Sequence, residues 1–211
     1  KKTNDIIAVI WNFACHPVLY HSPDHFSSHF PGEIRALIRA QHKPEIPVIF
    51  LQGFSGDIRP LNYETPKNLL EKLLKKVNNG PPFKMFTKKE YDDWVSRIWA
   101  QYRIANKQPG KTIQNIDLFS TQYLFESNQI IDGKDKKTIT VHLVKLSKEI
   151  KILGVSAEVV SKYAIELRQK YIEENLILVG CYGNVFGYWP TKAMLKEKGY
   201  EAASFFKSFS L

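Results

Sequence analysis

The longest apolar runs of this 211-residue chain are short, and each stops at a residue that breaks regular structure. Ile6 to Trp11 leads into Pro17, Val48 to Leu51 into Gly53, and Leu176 to Tyr182 into Gly183. All fall far below the roughly 20 apolar residues that a bilayer-crossing helix needs. They read instead as buried strands. Between them lie segments with apolar residues at 3–4 spacing, the period of a helix with one covered face.

The predicted order is a strand at Ile6–Ala14, then a helix opened by Pro31-Gly32 and running to about Gln41, with Ile34, Leu37 and Ile38 as its buried stripe. A strand at Pro47–Gln52 ends in Gly53-Phe-Ser-Gly-Asp57. Pro66 starts a helix whose Leu69, Leu70, Leu73, Leu74 and Val77 face inward, broken by Asn79-Gly80-Pro81-Pro82. Thr87 is placed to cap the next helix with Glu90 three residues on, and Tyr91, Trp94, Val95, Ile98, Trp99 and Tyr102 then form a core-facing stripe. Ile116–Phe125 and Thr138–Leu146 read as strands joined by a polar turn at Asp132-Gly133, with His142 a structural strand residue. A strand at Ile150–Val155, a helix from about Ala157 to Tyr171 and a strand at Leu176–Tyr182 follow. An irregular stretch to Tyr200 and a short terminal segment complete the chain. Hairpin-like and crossover-like connections coexist, so the expected fold class is α/β: one domain, a mixed sheet flanked by helices.

The formal net charge is +9, but the basic residues are dispersed into short clusters such as Lys72/Lys75/Lys76, Lys88/Lys89 and Lys134/Lys136/Lys137. No helix-turn-helix, ribonucleoprotein or zinc-finger pattern accompanies them, which argues against a nucleic-acid partner. Two cysteines, Cys15 and Cys181, are too few for a disulfide framework and read as buried free thiols at strand ends.

Chemistry is expected where strands end. His16 follows the first apolar run and stands before Pro17, Glu158 falls in the predicted first turn of the helix after Val155, and Tyr188 follows the last strand. An imidazole, a carboxylate and a phenolate together are able to hold zinc with a position left open for water. They are equally able to make plain hydrogen bonds or pack as core residues. His21, His25 and His29 share one loop with Asp24, where Pro23 and Pro31 prevent a continuous helix.

The segments Asn12-Phe-Ala-Cys-His-Pro17, Ser28-His-Phe-Pro-Gly32, Leu51-Gln-Gly-Phe-Ser-Gly-Asp-Ile-Arg-Pro60, Gly154-Val-Ser-Ala-Glu158, Gly187-Tyr-Trp-Pro-Thr191 and Gly199-Tyr-Glu-Ala-Ala203 occur here in the order they take in neutral/alkaline ceramidases. From about Ile6 to Phe205 the chain resembles the catalytic domain of that family and its bacterial relatives, least so between Leu61 and Gln114. The resemblance implies a zinc-dependent hydrolase of an amide bond, such as that of an N-acylated lipid. It implies His16, Glu158 and Tyr188 as zinc ligands, and Tyr200 as a catalytic residue that hydrogen-bonds the developing oxyanion. It also implies a secreted or periplasmic protein.

Departures from the family pattern carry their own expectations. The family's further zinc histidine, in a His-x-His-Ser-Gly-type motif, has no counterpart here, so a companion N-terminal segment is expected to supply it. The chain then forms the later part of a larger ceramidase-like domain, without the family's immunoglobulin-like C-terminal domain. The serine of the family's Gly-Asp-x-Ser-Pro motif is replaced in Gly56-Asp57-Ile58-Arg59-Pro60, making Asp57 and Arg59 candidate substrate-binding residues. A guanidinium suits a carboxylate or phosphate. That replacement keeps two alternatives open: a catalytically silent module that binds anionic lipid or carbohydrate, and a metal-dependent esterase or phosphatase.

Overall fold

The computed structural model describes residues 6–18, 26–60, 68–70, 73, 86–110, 112–113, 115–127, 137–172 and 175–209. Its elements are β1 (Val9–Phe13), α1 (His29–Gln41), β2 (Val48–Gln52), α2 (Lys88–Lys107), β3 (Phe119–Glu126), β4 (Thr138–Lys145), β5 (Ile150–Val155), β6 (Glu158–Val159), α3 (Ser161–Lys170), β7 (Asn175–Val179), β8 (Tyr188–Trp189), α4 (Lys192–Glu197) and α5 (Tyr200–Phe209). β1 and β2 are parallel, with α1 between them in sequence. β3, β4 and β5 form an antiparallel meander, and β7 joins β5 in parallel after α3. The expected α/β class, with sheets flanked by helices, is therefore what the chain adopts. No described helix is long and apolar enough to cross a membrane.

Two apolar clusters hold these layers. In the first, Phe30, Ile34 and Ile38 of α1 meet Tyr91, Val95 and Ile98 of α2 over β1 and β2. Phe30 lies at its centre, with ring centroids 5.2 Å from Trp94, 5.7 Å from Phe13 and 5.7 Å from Phe50. The aromatic stripe of α2 is thus core, as its spacing predicts. Thr87 caps that helix as expected: its Oγ1 accepts from the Glu90 N–H at 3.3 Å, and Glu90 Oε2 accepts from the Thr87 N–H at 2.8 Å. The second cluster gathers Ala157, Val159, Ala164 and Leu178 around Phe54, which the chain delivers just beyond β2. His142, on β4, makes two hydrogen bonds within a local cluster, one between Nε2 and Ser120 Oγ at 2.7 Å and one between Nδ1 and Tyr182 Oη at 2.6 Å.

Four expectations need correction. Leu69, Leu70 and Leu73 do not face inward: they are 76 %, 68 % and 55 % exposed. The rest of that predicted helix, including Leu74, Val77 and its Asn79–Pro82 break, lies outside the described residues, as does the Asp132-Gly133 turn. Glu158 is not in a helical turn. The Glu158 N–H donates to Gly187 O at 2.9 Å, so residues 158–159 pair with β8 and the helix waits until Ser161. The stretch before Tyr200 is not irregular, because it holds β8 and α4, and Tyr200 opens α5, whose Ala202, Phe205 and Phe209 are buried. Thr191, whose Oγ1 accepts from the Met194 N–H at 3.2 Å, is the cap signal for α4. Finally, the two thiols differ: Cys15 is buried and Cys181 exposed.

Burial pushes the Cys15 thiol up to about 12, with Arg59 pulling weakly the other way. Burial and Glu158 also raise the Cys181 thiol, to about 11, so the contrast rests on access: a thiol reagent is expected to reach the exposed Cys181 in the folded protein and Cys15 only after unfolding. Equal labelling of both in the native state, read by mass spectrometry, would contradict the packing of β1. Thr87→Ala should lower the unfolding free energy by about 1 kcal/mol, seen as a lower denaturant midpoint at unchanged slope.

Candidate functional site

Parallel strands set their C-terminal ends side by side, and in α/β sheets that edge is where loops can be aimed at a ligand. Here the ends are stitched together by backbone. Gly53 N–H donates to Phe13 O at 3.0 Å, joining the exits of β1 and β2. Gly180 N–H donates to Gln52 O at 3.0 Å, joining the exit of β7 to that of β2. Gly56 N–H reaches Val159 O at 2.9 Å, and Cys181 N–H reaches Ala157 O at 2.9 Å. Asn12 adds a side-chain tie, its amide donating to Leu51 O at 2.9 Å and Leu178 O at 3.1 Å.

His16 is fixed within this frame by its own N–H, which donates to Ile58 O at 3.0 Å, and by Gln52, whose Nε2 donates to Cys15 O at 3.0 Å. Glu158 is fixed by β6–β8 pairing, which also places Tyr188 directly opposite it in register. The outcome is a convergence of side chains from distant points of the sequence. His16 Nε2 stands 3.5 Å from Glu158 Oε2, with the two side chains only 20 % and 24 % exposed. The His16 and Tyr188 rings lie 6.4 Å apart, and Tyr188 packs edge-on to Tyr200 at 5.7 Å. Burial, with Glu158, Tyr200 and Glu201 adding to it, raises the Tyr188 pKa well above the usual phenol value.

Two features of His16 bear on metal binding. Its Nε2 is buried and makes no hydrogen bond among the described residues. Its 3.5 Å separation from the carboxylate is also too long for a good N–H···O bond. Two ligand atoms each about 2.0–2.1 Å from zinc at the tetrahedral angle stand about 3.3–3.4 Å apart. The observed pair fits that spacing, so the residues present suit the ion. Among the described residues no three His, Cys, Asp or Glu side chains form a metal-binding group. The set relies on a phenol as its third member.

Arg59 belongs to the same neighbourhood. Burial lowers its pKa, and the opposing influences come from Tyr188, Cys15 and Tyr200 in that order. Asp57 has other work: its two carboxylate oxygens accept from Ser161 N–H at 2.6 Å and Ser161 Oγ at 2.9 Å, clasping the first residue of α3. His29, by contrast, is the first residue of α1, in a left-handed conformation with φ 47°, its N–H donating to Ser27 Oγ at 3.0 Å. His21, His25 and Asp24 lie outside the described residues.

Several positioning residues escaped the sequence reading. Ser161 looks like an ordinary polar residue, and Gln52 and Glu201 lie inside the quoted motifs without a role being assigned to them. Gly56 carried a signal, since a glycine in a loop after a strand often marks a close backbone approach. A β-carbon built there would sit 2.4 Å from Glu158 O and 3.1 Å from the carbonyl carbons of residues 158 and 159. No flexible side chain can yield to it, because these atoms are backbone. Gly56→Ala is therefore expected to destabilise the fold by about 1–3 kcal/mol through overpacking, measured by denaturant unfolding. A variant with wild-type stability would show that the loop does not abut β6.

No protein-family model, curated protein or solved structure gives a significant match to this chain.

Proposed function

We propose that this chain carries the greater part of a zinc-dependent amidohydrolase site of the neutral-ceramidase kind, acting on a linear amide such as that of an N-acylated lipid. The observation that carries the reading is the buried His16 Nε2, without a hydrogen bond among the described residues and 3.5 Å from Glu158 Oε2. Tyr188, paired in register with Glu158 and packed on Tyr200, supports it. In this reading His16, Glu158 and Tyr188 hold the ion. Zinc there supplies a Lewis acid for the amide carbonyl and lowers the pKa of a water molecule.

The chain's own groups have distinct tasks. Half of the Tyr200 side chain is exposed, leaving its hydroxyl accessible to a carbonyl oxygen on which negative charge develops. Tyr188 and Tyr200 both act on the Arg59 guanidinium, so in this reading a substrate group that meets the phenols also meets a cation. Asp57 serves the substrate indirectly, by holding the Gly53–Pro60 loop that carries Arg59 against α3. A further histidine from a companion segment, making this chain the later part of a larger catalytic domain, belongs to the same proposal.

The placement of Arg59 also favours a second reading, in which the same metal site serves an ester or phosphate and Arg59 clamps its anionic group. A catalytically silent module for anionic lipid would share the cation but need no metal. A panel of chromogenic amide, ester and phosphate substrates with zinc supplied separates the three.

Zinc at 100-fold its dissociation constant should stabilise the folded chain by about 2.7 kcal/mol, visible as a raised melting temperature. His16→Ala and Glu158→Gln should each abolish that rise. Metal analysis showing no zinc uptake, or uptake unaffected by both substitutions, would remove the hydrolase reading in either form.

A further inference from the structure

β3 lies at one edge of the four-stranded sheet, with β4 as its strand neighbour among the described residues. It is exposed along almost its whole length, yet it is not polar. Leu118, Phe119, Tyr123 and Leu124 are 68 %, 54 %, 52 % and 63 % exposed, and they occupy both faces of the strand. Edge strands of monomeric proteins are ordinarily blunted by lysine, proline or a bulge. Between Leu118 and Phe125 there is no charged residue and no proline, and the pairing with β4 runs without a bulge from Phe119 to Glu126.

The backbone parity of β3 is fixed. Asp117 N–H donates to Leu146 O at 3.1 Å and Ser127 N–H to Lys137 O at 2.8 Å, so odd-numbered residues hydrogen-bond towards β4. The N–H and C=O groups of Leu118, Ser120, Gln122 and Leu124 consequently point away from the sheet. Around Thr121 the sequence Leu118-Phe-Ser-Thr-Gln-Tyr-Leu124 is a palindrome of side-chain character. Ser120 mirrors Gln122, Phe119 mirrors Tyr123, and Leu118 mirrors Leu124.

We propose that β3 pairs with β3 of a second copy of this chain, antiparallel and centred on Thr121, continuing the sheet across a two-fold axis. A two-fold interface needs a surface complementary to itself, and this register supplies one. Leu118 meets Leu124, Phe119 meets Tyr123, and Ser120 meets Gln122 of the other copy. The pair Ser120–Gln122 falls on the hydrogen-bonding parity, as an antiparallel ladder requires. Pairing centred on Gln122 keeps that parity but sets Leu124 against Ser120 and leaves the leucines without apolar partners. The inference is independent of zinc.

The full chain should sediment as a dimer at micromolar concentration. Gln122→Pro should make it monomeric, because the lost N–H points away from β4 and the ring leaves the β3–β4 ladder intact; an unchanged circular dichroism spectrum checks that the fold survives. In a Cys181→Ser background, Thr121→Cys should cross-link two copies under mild oxidation. Directly opposed residues outside the hydrogen-bonded pairs have Cα atoms about 4.5 Å apart, within disulfide range. A monomer at all concentrations, open-ended aggregation in place of a dimer, a dimer indifferent to Gln122→Pro, or cross-linking through Tyr123→Cys and not Thr121→Cys would each overturn the proposal.

Discussion

The structure depends on a seam of backbone, where the exits of β1, β2, β5 and β7 are drawn together with almost no side chain between them. Gln52 O and Ala157 O accept the N–H groups of Gly180 and Cys181 from the loop after β7, and Val159 O accepts that of Gly56 from the loop after β2. Gly53 fits only because a β-carbon there would press to 2.7 Å from that of Ala14, and Gly56 because it lies against the Glu158 carbonyl. The seam joins two apolar clusters that are otherwise separate, one around Phe30 and one around Phe54. Phe54 is the chain's own bridge, leaving β2 in the first cluster and burying its ring in the second. Any change that opens the seam separates His16 from Glu158, since one is carried by the β1 exit and the other by the β5 exit.

That dependence explains why the fold was more legible than the site. The short apolar runs located β1, β2, β5 and β7, and the Thr87–Glu90 box located α2, because strand and cap signals are local. The leucines after Pro66 show the limit of periodicity: spacing says that one face of a helix is apolar, not that anything covers it, and Leu69, Leu70 and Leu73 face solvent. Glu158 shows another limit. A helix-like local pattern lost to pairing with Tyr188, thirty residues on, which no window of sequence contains. The terminal helices were hidden because a run of glycine, proline and aromatic residues obscured the spacing of Ala202, Phe205 and Phe209.

For the site, the sequence named His16, Glu158, Tyr188, Tyr200 and Arg59 through ordered motifs, but it carried no information on their supports. Hydrogen bonds such as Ser161 to Asp57 link residues 104 apart. Asp57 illustrates the difference between finding a residue and knowing its task. Its carboxylate reads as a substrate contact in the motif, whereas in the fold it is taken by the first N–H of α3, where the helix dipole also favours a negative charge.

The electrostatics of Tyr188 tie these threads together. Burial, the Glu158 carboxylate, the Tyr200 phenol and Glu201 all act in one direction, keeping the proton on the hydroxyl. Burial also disfavours Arg59 as a cation, opposed by Tyr188, Cys15 and Tyr200. His16 Nε2 is the group this network leaves out. A divalent cation placed among His16, Glu158 and Tyr188 would reverse the sign of the local field, favour the phenolate, and give the imidazole nitrogen a partner in the same step.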